Sequence, residues 1–203
     1  MQLIGMLDSP FVRRVAISMR LLGVPYEHNP LSIFRGYEAF RRLNPLVKVP
    51  TLVCDDGEML VDSTLIIDHV ESLAGRSLMP AGASDRRRAQ QLTGIALAAM
   101  EKVAQRIYEL KVRPEEYRYA PWLSRLDEQL GAAIDAMETA ASCDGNRWLV
   151  GAQLTQADVT TAVAWRFIAH AAPDAARGTP RPALDAFGAR AESLPEFLAC
   201  PLE

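Results

Sequence analysis

Residues 9–12 are Ser9-Pro10-Phe11-Val12, and they stand where a short apolar run ends and a helical pattern begins. The run before them, residues 3–7, is bounded by Asp8 and has the length and composition of a buried strand. After them, apolar side chains recur at the spacing of one helix face: Val12, Val15, Ala16 and Met19. The sequence therefore predicts a strand, a turn at Ser9 and a helix that begins at Pro10.

Ser9 is thus predicted at a helix N-terminus. Pro10 suits the first helical turn, where a missing N–H costs no hydrogen bond. Free N–H groups and the positive end of the helix dipole stabilise an anion at such a place, including a thiolate that is not part of the protein. Because serine is also a leading N-cap residue, a simple capping role for Ser9 is the alternative interpretation.

The other elements predicted up to residue 75 continue this alternation of strands and helices. They are residues 26–30 (strand), 37–43 (helix), 48–53 (strand), 59–61 (strand) and a helix that Asp62 and Ser63 cap and that ends at Gly75. Asp55-Asp56-Gly57 is a hairpin turn signal between the last two strands. This order is thioredoxin-like, and in that fold a cis proline opens the third strand, which predicts a cis Val49–Pro50 bond.

The rest of the chain is predicted to be helical throughout. Residues 76–84 form a linker rich in glycine, proline and serine. Long helices are expected from 85 to about 111 and from about 117 to 141, and a Thr155-to-Asp158 capping box begins another. The predicted fold class is an α/β, thioredoxin-like N-terminal domain (1–75) joined by the linker to an all-α C-terminal helical bundle domain (85–203).

Composition narrows the function classes. The 203 residues are 49% hydrophobic with a net charge of −3, which favours a globular core and gives no sign of a nucleic-acid partner. No apolar run is long enough to span a membrane, and the N-terminus lacks a basic leader region. Cys54, Cys143 and Cys200 form neither a CxxC pair nor a metal pattern, so a reducing, cytoplasmic location is expected.

Taken together, the motifs resemble those of the soluble, dimeric glutathione transferases. In the first domain they are Ser9-Pro10-Phe11-Val12-Arg13, Asn44-Pro45-Leu46, Lys48-Val49-Pro50 and Asp62-Ser63. In the second they are Trp148-Leu149-Val150-Gly151, Leu154-Thr155 with Asp158, Pro182-Ala183-Leu184, Phe187, Arg190, Pro195 and Phe197. The Ser9 arrangement resembles the bacterial serine-type members rather than the tyrosine types.

The resemblance implies a detoxifying transferase with glutathione as co-substrate, no other cofactor and no metal. Ser9 would donate a hydrogen bond to the glutathione sulfur and stabilise the thiolate, which is the nucleophile. Asp62 would bind the γ-glutamyl ammonium, and Ser63 with free helix N–H groups would bind its carboxylate. Val49 would pair with the cysteinyl backbone and Lys48 with the glycine carboxylate. The glutathione-binding set is Ser9, Phe11, Lys48, Val49, Pro50, Asp62 and Ser63.

Redox chemistry at position 9 is excluded by residue type. Glutaredoxin-like proteins hold Cys-Pro-(Tyr/Phe)-Cys at this helix start, whereas this chain has Ser9 and Val12 in the cysteine positions. Neither dithiol nor monothiol exchange can therefore run through this site.

The second substrate is predicted to be a small electrophile in a pocket that Phe34, Ile107 and Tyr108 help to line, and the chain is predicted to be a homodimer. Arg13 and Arg14 are expected to face away from the apolar helix stripe, and whether one of them touches the other subunit stays open on the sequence. Two alternatives to catalysis stay open on the sequence: a protein that binds glutathione or another ligand with slight turnover, and a transferase-like interaction module.

Overall fold

The computed structural model describes residues 1–142, 148–177 and 179–202, so Cys143 lies outside the described residues. The chain divides into two compact units: the first unit is Met1–Leu78 with Ser193–Glu203, and the second unit is Met79–Glu192. The helical domain was predicted to include everything after residue 84, but residues 193–203 belong to the first unit. The segment belongs to the first unit because Phe197 is fully buried there and Arg13 Nε donates to the Cys200 carbonyl at 2.7 Å.

A four-stranded sheet forms the centre of the first unit. Its strands are β1 (Gln2–Ile4), β2 (Glu27–Asn29), β3 (Thr51–Val53) and β4 (Met59–Leu60), in the spatial order β2-β1-β3-β4. β1 pairs in parallel with β2 and antiparallel with β3, and β4 pairs antiparallel with β3. Pro50 lies just before β3, so its missing N–H removes no sheet hydrogen bond.

Three helices of the first unit begin and end close to their predicted positions: α1 (Pro10–Leu22), α2 (Tyr37–Leu43) and α3 (Ser63–Ala74). The predicted apolar stripe of α1 is fully buried. Gly23 and Gly75 end α1 and α3 in the left-handed conformation, which glycine adopts without steric cost. A one-turn helix, Pro195–Leu198, lies in the C-terminal segment.

Arg13 and Arg14 are buried, although they were expected to face away from the apolar stripe of α1. Each is only 1% exposed. The Arg13 guanidinium lies 5.8 Å from the centre of the Phe197 ring, and Arg14 reaches the start of α3. Both arginines are therefore held inside the first unit. The reason is that α3 and the C-terminal segment cover the faces of α1 on either side of the apolar stripe.

The second unit is helical. It contains α4 (Ala83–Ile107), a π-helical segment (Tyr108–Val112), a 3₁₀ turn (Glu115–Tyr117), α5 (Ala120–Ala141), α6 (Gln156–Ala171), α7 (Pro173–Arg177) and α8 (Pro182–Glu192). The Thr155 capping box is confirmed. Its Asp158 is fully buried and accepts hydrogen bonds from the Leu149 N–H and from the Thr155 N–H and hydroxyl, each at 2.7 Å.

Gly5 brings three parts of the first unit into close contact. It follows β1 with a φ of 134°. A Cβ placed on it would lie 2.6 Å from Val12 Cγ2 and 3.1 Å from Val49 Cγ1. Only glycine therefore allows the end of β1, the first turn of α1 and the segment before β3 to approach this closely.

Replacing Gly5 with alanine is expected to lower the free energy of unfolding by about 1–3 kcal/mol, because the new methyl group overpacks the contact. Gly94→Ala is the matched control. Gly94 lies inside α4, and a Cβ there meets no described atom outside its own helix within 4 Å. That variant should be stabilised by about 0.5–1 kcal/mol. Denaturant unfolding measures both, and equal stability of the Gly5 variant and wild type would contradict the close contact.

Candidate functional site

Ser9 lies at the N-cap position of α1, directly before Pro10. Its backbone is extended (φ −73°, ψ 119°), and its carbonyl accepts the first helical hydrogen bond from the Arg13 N–H at 2.9 Å. Within the described part of the chain, the Ser9 hydroxyl makes no capping hydrogen bond. The alternative of a simple capping side chain is therefore not realised, and the hydroxyl is left for another acceptor beside the helix N-terminus.

The segment before β3 is held by a buried polar network. Asn44 is 4% exposed; its Nδ2 donates to Thr51 Oγ1 at 2.8 Å, and its Oδ1 accepts from the Leu46 N–H at 3.0 Å. Thr51 Oγ1 donates in turn to the Lys48 carbonyl at 2.6 Å. The sequence marked Asn44 as part of a motif, and the structure gives it a purpose: it fixes the backbone that leads into residues 48–50.

The residues predicted to bind the peptide part of glutathione lie in this fixed segment. The Val49–Pro50 bond is cis, as predicted. The Val49 side chain packs against Gly5, Pro50 is buried, and the Lys48 side chain is exposed. Phe11, in the first turn of α1, is partly buried.

Asp62 caps α3 as predicted, but its carboxylate accepts hydrogen bonds from backbone N–H groups that were expected to be free. Its carboxylate oxygen Oδ1 accepts from the Thr64 N–H at 2.8 Å and from the Leu65 N–H at 3.3 Å. Two of the helix N–H groups assigned to a bound carboxylate are therefore already satisfied. The Asp62 residue itself is exposed, so its charge faces solvent and is available to a cation.

Ser63 is bound to a residue that the sequence analysis did not assign to the site. Its side chain is 2% exposed, and its hydroxyl oxygen accepts from Arg14 Nη1 at 2.9 Å. The same guanidinium nitrogen reaches Thr64 Oγ1 at 3.2 Å. Burial lowers the pKa of Arg14 to about 10, and the nearby Asp62 charge opposes that shift. No local sequence signal indicated this, because the contact depends on how α1 packs against α3.

Three residues were predicted to line the electrophile pocket: Phe34, Ile107 and Tyr108. Phe34 of the first unit is 54% exposed. In the second unit, Ile107 ends α4, and Tyr108, at 48% exposed, begins the π-helical segment. π-helical turns are frequent at functional sites. The pocket stays a prediction.

That segment is anchored by Glu109, a second residue that the sequence analysis missed. Its carboxylate accepts from the Tyr119 N–H at 2.8 Å and from Arg113 Nε at 2.7 Å. These two donors hold the pKa of Glu109 below its usual value. The anchored carboxylate keeps the π-helical segment beside the start of α5.

Among the described residues, the remaining reactive side chains form no second centre. Cys54 Sγ lies 3.8 Å from His69 Nε2, and burial raises the pKa of the Cys54 thiol, which disfavours its thiolate. Cys200 is buried beside Tyr26. In the described ranges, no group of three or more histidine, cysteine or acidic side chains is arranged to hold a metal. None of the helices described has the length and apolarity that a membrane crossing requires.

Comparison with known proteins identifies the family. The glutathione S-transferase N-terminal domain model matches residues 3–78, and the C-terminal domain model matches residues 120–198. Glutathione S-transferase 3 of maize (Zea mays) is 30% identical over 171 residues, which are 80% of this chain and 76% of the maize protein. The chain belongs to the glutathione S-transferase family. The two matched regions of this transferase contain all the predicted glutathione-binding residues and α5, α6 and α8.

Two further comparisons agree. The GST-like protein YibF of Escherichia coli is 27% identical over 139 residues, 68% of each chain. A glutathione transferase family member from Pseudomonas fluorescens, solved with bound glutathione, is 25% identical with a TM-score of 0.83, and the match covers 100% of this chain and 98% of that one.

Proposed function

We propose that this transferase binds glutathione in its first unit and promotes attack of the glutathione thiolate on a small electrophile. Glutathione is the co-substrate, and the reaction uses no further cofactor. The observation that carries the proposal is the Ser9 hydroxyl, which lies at the N-terminus of the buried helix α1 without a capping bond. Family membership supports the reaction class.

Ser9 acts on the thiolate and does not itself react. Its O–H donates to the glutathione sulfur, and the partial positive charge at the start of α1 adds to that stabilisation. Both effects favour the charged form of the thiol over the neutral form, so they lower its pKa. The thiol proton goes to solvent, the sulfur forms a bond to the electrophile, and the leaving group departs with its bonding electrons.

The three amino-acid parts of glutathione bind to different residues of the first unit. The exposed carboxylate of Asp62 binds the γ-glutamyl ammonium, and Ser63 takes part in binding the γ-glutamyl carboxylate. The Val49 backbone pairs with the cysteinyl backbone, and the exposed Lys48 ammonium binds the glycine carboxylate. Phe11 and Pro50 form apolar walls.

The finer family features belong to the same proposal. The serine-type subclass rests on Ser9, and the electrophile is bound by Phe34, Ile107 and Tyr108. A homodimer is supported by exposed apolar side chains on α3 of the first unit, where Leu65 is 61% and Leu73 is 55% exposed. A cytoplasmic location fits Cys54, which is a free thiol.

Calorimetric titration with glutathione, followed by conjugation to a reactive aryl halide on the same sample, tests the function. Cysteinylglycine is the matched ligand control, because it has the thiol and the glycine end but lacks the γ-glutamyl arm. We expect saturable glutathione binding, much weaker dipeptide binding and conjugation above the uncatalysed rate. Glutathione binding without conjugation would contradict the catalytic assignment, and no binding would contradict the site.

A further inference from the structure

Arg14 is a cation buried in the first unit. It is 1% exposed, and no described residue forms a hydrogen bond with its Nε. Within residues 1–142, 148–177 and 179–202, its guanidinium forms no ion pair with a carboxylate, although Asp62 is near enough to act on it through space. Burying an unpaired charge is costly, so a binding partner at this place would relieve a real penalty.

The two groups that Arg14 contacts are both hydroxyls in the first turn of α3. Arginine can only donate hydrogen bonds, so the oxygens of Ser63 and Thr64 both accept from it. Each hydroxyl then has one proton left to donate. Among the described residues, neither proton has an acceptor.

Two of the first backbone N–H groups of α3 are already taken at this position. Asp62 already accepts from the Thr64 and Leu65 N–H groups. An anion that binds at the start of α3 therefore meets two hydroxyl protons and the field of a buried guanidinium more than it meets free helix N–H groups.

We propose that Arg14 is a positioning residue that commits the Ser63 and Thr64 hydroxyls to donate to the γ-glutamyl carboxylate of glutathione, with Thr64 as an additional contact residue. This inference rests on the proposed function and refines how one carboxylate is recognised. Ser63 is buried and Thr64 is exposed. The two hydroxyls would therefore donate to the carboxylate from the inner and the outer side of the helix start.

The lowered pKa of Arg14 agrees with this arrangement. At about 10 it keeps the guanidinium charged at neutral pH, while burial has weakened its preference for the charged form. A carboxylate bound nearby would restore that preference. The cation therefore favours an anionic ligand over a neutral one.

The test compares two ligands that differ only in this carboxylate: glutathione and 4-aminobutyryl-cysteinylglycine, which keeps the amine and the thiol. In wild type, loss of the carboxylate should weaken binding by about ten- to a hundredfold, the usual effect of hydrogen bonds to a charged group. In Arg14→Gln, glutathione binding should weaken by a similar factor while analogue binding stays nearly unchanged. The affinity ratio of the two ligands should therefore collapse, while kcat at saturating glutathione changes little.

Thr64→Val keeps the side-chain shape and removes only the hydroxyl, so it tests the proposal even if Arg14→Gln does not fold. It should reduce the affinity ratio about five- to tenfold. Thr139→Val, an exposed threonine of α5 in the second unit, is the matched control and should leave the ratio at the wild-type value.

The outcomes separate this inference from the function itself. If wild type does not bind glutathione, the proposed function fails and this inference fails with it. If wild type distinguishes the two ligands but Arg14→Gln and Thr64→Val distinguish them equally well, the inference is overturned while the function stands. Equal binding of both ligands by wild type also overturns it, because the carboxylate would then not be recognised.

Discussion

The Ser9→Ala variant is expected to conjugate glutathione to a reactive aryl halide at about a tenth to a hundredth of the wild-type rate, with glutathione affinity nearly intact. Removing one preorganised donor to a reacting anion costs roughly 10²–10³ in rate. The lower end or less is expected here, because the N-terminus of α1 remains in place and continues to stabilise the thiolate. The affinity for glutathione changes little because the hydroxyl stabilises the neutral thiol much less than it stabilises the thiolate.

The rate should be measured against pH, because a lost donor raises the pKa of the bound thiol. The rise of the conjugation rate should then move to higher pH in the variant. Ser84→Ala is the control, since Ser84 is an exposed serine in the first turn of α4. Superimposable profiles for wild type and Ser9→Ala would mean that another group stabilises the thiolate.

The Asp62→Asn variant should lose glutathione affinity while it keeps the cap of α3. Its carboxylate both caps α3 and carries the charge proposed to bind the ammonium, and asparagine keeps the first role while removing the second. A charge-assisted hydrogen bond of this kind contributes about 1.5–3 kcal/mol. Affinity should therefore fall by roughly ten- to a hundredfold.

Comparing Asp62→Asn with Asp62→Ala separates the capping role from the binding role. Asp62→Ala removes the cap as well, so it should lose about 1 kcal/mol of stability in addition to the affinity. Calorimetric titration and denaturant unfolding on the same three proteins give both quantities. If Asp62→Asn binds glutathione as wild type does, the carboxylate does not bind the ammonium, and its role is limited to the helix cap.

Local sequence signals were enough to predict the framework of the first unit. Ser9 and Pro10 indicated where α1 begins, and Asp62 indicated the cap of α3. The structure has both, and α2 spans the predicted residues 37–43. Each of these features depends on side chains that act on backbone groups only a few positions away. The sequence of a short segment is therefore enough to predict them.

Features that depend on distant contacts were missed. The hydrogen bond from Arg13 to the Cys200 carbonyl joins residues 187 positions apart. It attaches the C-terminal segment to the first unit. Helix periodicity predicts one buried face of α1, but it does not predict that neighbouring segments cover the remaining faces. The burial of Arg14 and its contact with Ser63 follow from that same packing.

Two of the N–H groups expected to be free at the start of α3 are occupied for a different reason. Asp62 was expected both to cap α3 and to lie beside unsatisfied N–H groups, yet its capping carboxylate accepts from the Thr64 and Leu65 N–H groups. Because these two N–H groups are occupied, an anion at this helix start gains from another source of positive charge. The structure supplies that source in Arg14.

The most direct test of the account is the ionisation of glutathione bound to the enzyme, followed by the ultraviolet absorbance of the thiolate as pH is varied. The account predicts that bound glutathione ionises well below the pKa of about 8.5 typical of a free thiol, and that Ser9→Ala moves this pKa back toward the free value. A bound thiol that ionises at the same pH as free glutathione, in wild type and variant alike, would contradict the claim that this site activates the thiol.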